Sequence, residues 1–205
     1  MAQFFAPAIL IGGIAYASGL LKKITDHAKH DITLGYNMLT NYMDPINCPW
    51  WSKIDNGLYL GAIPLQMYEH DAELNDLGVD IVLSCMEEFE LSIDEDTWNS
   101  RQIENILIES PDFLPVSLEK INLGVDIVKS ALDNNKTIYV HCKAGKGRSV
   151  TIVMAYILKY GLQDGTKFDS VDSAKNYIKS IRPQISLNYK QMEAIHNYYE
   201  TIRIK

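Results

Sequence analysis

Residues 138–160 constrain this chain more than any other stretch. Ile138-Tyr139-Val140 is a short apolar, β-branched run, and Val150 to Tyr160 is apolar all round. Between them lies His141-Cys142-Lys143-Ala144-Gly145-Lys146-Gly147-Arg148, then Ser149. A strand without a polar face is buried on both sides, as in a parallel sheet covered by helices. A helix without a polar face is buried as well. The stretch therefore reads as strand, loop and helix at the centre of an α/β domain. The loop opens at the carboxyl end of the strand, where such sheets bind ligands.

The rest of the chain fits that frame. Leu58-Tyr59-Leu60 before Gly61, Val79 to Leu83 and Ile106-Leu107-Ile108 read as further strands. Ser117 to Leu132 carries Leu118, Ile121, Val125 and Val128 at three- and four-residue spacing, with Ser117 at its start, and predicts a helix. Two amphipathic helices are expected at about 170–181 and 189–203. Strands alternating with helices predict an α/β fold with a central sheet. The 205 residues, 47% hydrophobic and 22% charged, suit one domain with a real core plus a short extension. The formal net charge of -7 argues against nucleic acid as a partner. It also means that a phosphate ligand needs a locally positive site.

The loop supplies one. A thiol attacks only as thiolate, and backbone N–H groups ahead of a helix N-terminus stabilise that charge. The same N–H groups bind phosphoryl oxygens. Gly145 and Gly147 let the backbone turn with its amides inward. Arg148 offers a planar fork to two oxygens, which Lys cannot match. Ser149 is placed to hydrogen-bond the sulfur and ease its departure, and His141 to fix the loop through its ring N–H groups. Lys143, Ala144, Gly145, Lys146 and Gly147 complete the phosphate-binding set. The bland alternative is a glycine-containing turn with a chance Cys and Arg, but H-C-x-x-G-x-x-R-S directly after an apolar strand is too specific for that. An ATP-binding loop fails because G-x-x-x-x-G-K-[S/T] is absent.

Cys48, Cys85 and Cys142 are the three cysteines, with no C-x-x-C pair, so neither a disulfide framework nor a zinc site is indicated. Cys48 reads as a buried small hydrophobe. A catalytic thiol implies a reducing compartment, and the chemistry calls for no metal and no cofactor.

Residues 4 to 21 carry no charge, and Lys22 and Lys23 follow at once. The length sits at the lower edge for a spanning helix. Pro7, Gly12, Gly13 and Gly19 are tolerated in lipid. The reading adopted is a membrane anchor or re-entrant segment. A cleaved signal peptide with Ala15-Tyr16-Ala17 as its cleavage site lacks a basic n-region, and a core helix is the remaining alternative. An Arg-rich transit peptide is not indicated, since the first arginine is Arg101. If the segment spans, Lys22, Lys23 and Lys29 put the following domain on the cytoplasmic side. The expected division is an apolar segment and linker over 1–47 and a catalytic domain over 48–205.

The loop resembles that of the dual-specificity branch of protein tyrosine phosphatases. His141 to Arg148 is the string found in phosphoinositide 3-phosphatases of that branch. The rest is similar to the mitochondrial-type phosphatidylglycerophosphate phosphatases. Trp50 to Asp55, Tyr59 to Leu65 and Met86-Glu87-Glu88-Phe89-Glu90 carry that likeness over residues 48 to 202, as do Arg182-Pro183, Asn188 and Gln191. Position 146 is Lys where that group more often has Arg. The resemblance implies a mostly parallel sheet flanked by helices and hydrolysis of a phosphate monoester through a phosphocysteine. Cys142, Arg148, Asp112 and Ser149 would be the catalytic residues.

Asp112, in Ser110-Pro111-Asp112-Phe113-Leu114-Pro115, is similar to the acid of the family's W-P-D loop, with Ser110 in place of Trp. Its alternative role is a turn-forming Asp. Asp94, Asp96 and Glu109 are its competitors. Lys143 and Lys146 favour a substrate with further negative charge or one on an anionic membrane surface. Glu87, Glu88 and Glu90 are expected to pair with the loop's cations, Glu88 being the one placed to orient Arg148. Some relatives protect the catalytic thiol in a disulfide, for which Cys85 is the partner the resemblance suggests, against plain core packing. The expected substrate is a lipid phosphate, phosphatidylglycerophosphate first, then a phosphoinositide, then a phosphoprotein. A phosphate-binding module without activity is the non-enzyme alternative. The chain is expected to be monomeric and membrane-associated, facing the cytoplasm or within mitochondria.

Overall fold

The computed structural model describes residues 26–204. The apolar stretch 4–21 lies outside them, and among the described residues no helix is long and apolar enough to cross a membrane. The chain divides into two units at Cys48. In the first, helix α1 (Asp26–Met43) begins with a Lys29–Asp26 pair at 2.8 Å. It is closed by a turn in which Asn41 donates to the Cys48 carbonyl at 2.8 Å.

The second unit is built round the strand that the sequence marked. Strand β5 (Ile138–His141) is buried at every residue and lies in the middle of a five-stranded sheet of order β1-β2-β5-β3-β4. Its neighbours β2 (Leu58–Gly61) and β3 (Ile81–Ser84) run parallel to it, and β4 (Glu104–Leu107) runs parallel to β3. Leu60, Val140 and Leu83 stand in register across the three central strands. Only β1 (Trp51–Asp55) is antiparallel, joined to β2 through Asn56 and Gly57. Gly57 has φ +69°, a left-handed conformation that glycine adopts at no steric cost.

Side chains alternate between the faces. Ile138, Val140 and Leu83 join the larger core, whereas Tyr139 and Val82 join a second cluster with Leu74, Trp98 and Ile103. Two short helices, α2 (His70–Asp76) and α3 (Glu95–Ser100), contribute to that second cluster. The larger core is covered by α4 (Leu118–Asp133), α5 (Arg148–Tyr160), α6 (Val171–Ile181) and α7 (Tyr189–Arg203). Helix α5 is buried from Arg148 through Leu158 and packs against α4, α6 and α7. Gly124 of α4 admits the Ile152 side chain, which a Cβ would meet at 2.8 Å. Ser117, Ser170 and Asn188 cap α4, α6 and α7 by accepting N–H bonds from Lys120, Ser173 and Gln191.

The predicted α/β architecture is therefore present, with shifted borders. The Val79–Leu83 and Ile106–Ile108 strands are observed at Ile81–Ser84 and Glu104–Leu107. The buried helix starts two residues before Val150, because Arg148 and Ser149 already take helical positions. α1, β1, α2 and α3 were not anticipated as elements; α1 lies in what was read as a linker.

Candidate active site

β5 delivers His141 and Cys142 to the carboxyl edge of the sheet, and α5 begins at Arg148. Between them the backbone is fixed from outside. The Lys143 carbonyl accepts from Ile63 N at 3.3 Å, and the Lys146 carbonyl from Ser186 N at 2.9 Å. Arg182, 1% exposed, donates to the Ala144 carbonyl at 3.2 Å and the Gly145 carbonyl at 2.8 Å. Four successive carbonyls thus point outward. In a trans peptide the N–H lies opposite the C=O, so the intervening amides turn toward the interior of the loop. That is an anion-binding concavity.

The two glycines serve different ends. Gly145 has φ +63°, and a Cβ there would run into the Gly61 carbonyl and lie 2.6 Å from Arg182 Nη2. Gly147 has an ordinary φ of −133°; it leaves room for Gln191, which a Cβ would meet at 2.8 Å.

Cys142 is buried, and burial opposes its ionisation. The Arg148 guanidinium and the Ser149 hydroxyl and N–H outweigh that, holding the thiol below its ordinary range. Ser149 Oγ donates to Cys142 Sγ at 3.2 Å. Arg148 is held by a carboxylate fork: Nη1 to Glu90 Oε2 at 2.5 Å and Nη2 to Glu90 Oε1 at 3.1 Å, with both side chains 1% exposed. Nη1 also donates to the Ser110 carbonyl at 2.7 Å. Burial pulls the guanidinium toward losing its proton, but Glu90, Cys142 and Asp112 keep it firmly charged. Glu90, not Glu88, orients the arginine. The single 3-10 turn Glu88–Glu90 leaves Glu88 exposed and sends Glu90 inward, where it also accepts from Glu87 N at 2.9 Å.

His141 is a neutral ring, pushed down to about 3 by burial. Its Nε2 lies 2.8 Å from Ser84 Oγ, whose hydroxyl donates to Asn105 Oδ1 at 2.9 Å. Ser84 therefore accepts, which assigns the ring proton to Nε2. The expected pair of ring N–H contacts reduces to this one, since Nδ1 has no hydrogen-bond partner among the described residues.

Asp112 reaches the loop. Its carboxylate pairs with Lys143, lies 3.1 Å from Arg148 Nη2 and accepts from Phe113 N at 3.1 Å, with 26% of its side chain exposed. Its competitors lie elsewhere in role or exposure. Asp94 caps α3 by accepting from Thr97 N at 2.8 Å, and Asp96 and Glu109 are exposed. Lys143 was expected to face the ligand. Its side chain is 6% exposed, paired with Asp112, 3.9 Å from Glu90 and 5.5 Å from the Phe113 ring centroid. Lys146 is half-buried. Cys85 is a free, buried cysteine just past β3, and its N–H donates to the His141 carbonyl at 2.8 Å, which sets it beside Cys142. Burial pushes its thiol up.

A thiol of lowered pKa in an amide-lined loop, with a carboxylate-held guanidinium at the head of a buried helix, defines a phosphatase-type domain of the cysteine-loop class. More narrowly, the chain belongs to the dual specificity phosphatase family, whose catalytic-domain model matches residues 58–201. Two relatives from Arabidopsis thaliana are named phosphatidylglycerophosphate phosphatase. PTPMT1 is 32% identical over 82% of this chain and 47% of its own length, and PTPMT2 is 31% identical over 81% and 69%. The match thus spans about half of the first relative. A crystal structure of PTPMT1 in complex with PI(5)P covers 76% of this chain and 97% of its own, at 28% identity and a TM-score of 0.67.

Proposed function

We propose that this chain is a cysteine-dependent phosphatase that hydrolyses a lipid phosphate monoester, phosphatidylglycerophosphate first, through a phosphocysteine. The observation that carries the chemistry is the Cys142 thiol, held below its ordinary range by Arg148 and Ser149. In the first step Cys142 Sγ attacks phosphorus and the bond to the alcohol oxygen breaks. Arg148 and the amides of residues 144–147 bind the phosphoryl oxygens, and Asp112 gives the leaving oxygen its proton. In the second step Asp112, now a carboxylate, takes a proton from water as that water attacks phosphorus. The S–P bond breaks and the Ser149 hydroxyl stabilises the departing thiolate. Lys143 acts through Asp112, its ion-pair partner, and His141 steadies the loop from Ser84.

The lipid reading is supported by the two Arabidopsis relatives named for phosphatidylglycerophosphate. A phosphoinositide is the second reading, favoured by the PI(5)P complex of PTPMT1. The catalytic domain of this proposal is 48–205, at a membrane surface in a reducing compartment, cytoplasmic or mitochondrial. A phosphate-release panel of phosphatidylglycerophosphate, phosphoinositides and phosphopeptides tests it, with Cys142→Ser as blank. The diacyl phosphatidylglycerophosphate is expected to give the highest kcat/KM; phosphopeptides as the best substrates would overturn the lipid reading.

A further inference from the structure

The acid loop and the reaction loop both rest on the head of α7 and the residues just before it. Asn188 caps α7, accepting Gln191 N on Oδ1 at 3.0 Å, while its Nδ2 donates to the Phe113 carbonyl at 2.9 Å. Its own N–H donates to Gln191 Oε1 at 3.0 Å, and Gln191, 4% exposed, fills the space left by Gly147. The chain just before it is tied to the loop through Ser186 N and the Lys146 carbonyl. One side chain therefore spans from the ground on which the reaction loop rests to the residue after Asp112.

Phe113 is where that contact matters. It has φ +62°, a left-handed conformation that a bulky side chain adopts only when its surroundings impose it. Half of Phe113 is exposed, so core packing does not impose it. Four contacts do. Asn188 holds the carbonyl, the Asp112 carboxylate holds the N–H, the Lys143 ammonium lies over the ring, and Leu114 N closes the turn onto the Pro111 carbonyl at 3.4 Å. Lys143 and Asp112 are also paired with each other. Of the four, only the Asn188 bond comes from outside the two loops. Without it, Phe113 is free to relax to a negative φ, which rotates the peptide that follows Asp112 and carries the carboxylate from the loop.

We infer that Asn188 is a positioning residue for the acid, holding Asp112 over Cys142 through the Phe113 carbonyl and tying its place to that of the reaction loop. This rests on Asp112 as the proton donor. The role differs from helix capping, which uses the other end of the same amide. Ser at this position keeps a cap but is too short to reach Phe113, and Asp keeps the cap but has no N–H to give.

The test compares phenyl phosphate, whose leaving group needs a proton, with para-nitrophenyl phosphate, whose leaving group needs little help. Neither depends on the lipid reading. Asn188→Ser is expected to lower kcat on phenyl phosphate roughly tenfold more than on para-nitrophenyl phosphate, a part of the ~10²–10⁴ worth of a general acid. Asn188→Asp should do the same. Adding Asn188→Ser to Asp112→Asn should not change the ratio further. Parallel losses on both substrates, or none, in Asn188 variants while Asp112→Asn shifts the ratio would overturn this inference and leave the acid assignment standing. An unchanged ratio in Asp112→Asn would overturn both. Should Asn188→Ser fail to fold, Asn188→Asp, which caps about as well, reads the same ratio.

Discussion

Glu90→Gln removes one charge from a pair that water does not reach. Two opposite charges about 4 Å apart attract by about 4 kcal/mol at an effective dielectric of about 20. Breaking a buried pair costs ~3–5 kcal/mol, because the surviving ion is left uncompensated. Here Arg148 keeps the Ser110 carbonyl and the Asp112 carboxylate, the latter in contact with water. The lower end, about 3 kcal/mol, is therefore expected. That is a large share of the ~5–15 kcal/mol that holds a domain together. In urea, at about 2 kcal/mol per M, the midpoint should fall by about 1.5 M. Glu88→Gln, two residues away and exposed, should leave it unmoved. Phosphate release should collapse in the Glu90 variant as well, since Arg148 loses the fork that aims it. A midpoint within 0.3 M or so of the parent protein, or equal shifts in the two variants, would refute the reasoning.

Two further outcomes follow from the site. The rate of Cys142 alkylation by iodoacetamide should rise with pH through a midpoint below the ordinary thiol range, and Ser149→Ala should move that midpoint up. The sign for stability is that of a depressed acid: the thiolate's contribution is complete above the unfolded thiol pKa and is lost as pH falls through the folded one. Peroxide should convert the Cys142 thiolate to a sulfenic acid, which condenses with the Cys85 thiol to a disulfide, releasing water. Adjacent parallel strands lie ~4.8 Å apart, inside the Cα range of a bridge. Non-reducing peptide mapping should find the Cys85–Cys142 peptide, and thiol-reversible recovery should be lost in Cys85→Ala; equal recovery of both proteins would end the idea.

How much of this was legible before any coordinates depended on length and periodicity. β5 and α5 were readable because an apolar run without a polar face has one destination. Strand β1 was not, because Trp51-Ser52-Lys53-Ile54-Asp55 alternates over only five residues at a sheet edge and carries two charges. Helices of six or seven residues, as α2 and α3 are, show too little of a 3.6-residue period to announce themselves. Within the site, Cys142, Arg148 and Ser149 were fixed by their spacing. The choice between Glu88 and Glu90 was not, since one 3-10 turn decides which carboxylate faces inward. Arg182 and Gln191 act on the loop from distant segments, and separation along the chain hides such contacts. Asn188-x-x-Gln191 did carry a readable signal, a capping box at the head of an amphipathic run. Nothing in that pattern pointed to the second bond from Asn188 to Phe113.

The central claim is that the phosphoryl group passes through Cys142. Rapid acid quenching of the protein with phosphatidylglycerophosphate carrying a radiolabelled terminal phosphate tests it directly. The account predicts label bound covalently to the Cys142 peptide, lasting longer in Asp112→Asn, where water is not activated, and none in Cys142→Ser, which should release no phosphate. Steady phosphate release with no label on Cys142, or with Cys142→Ser still active, would contradict it.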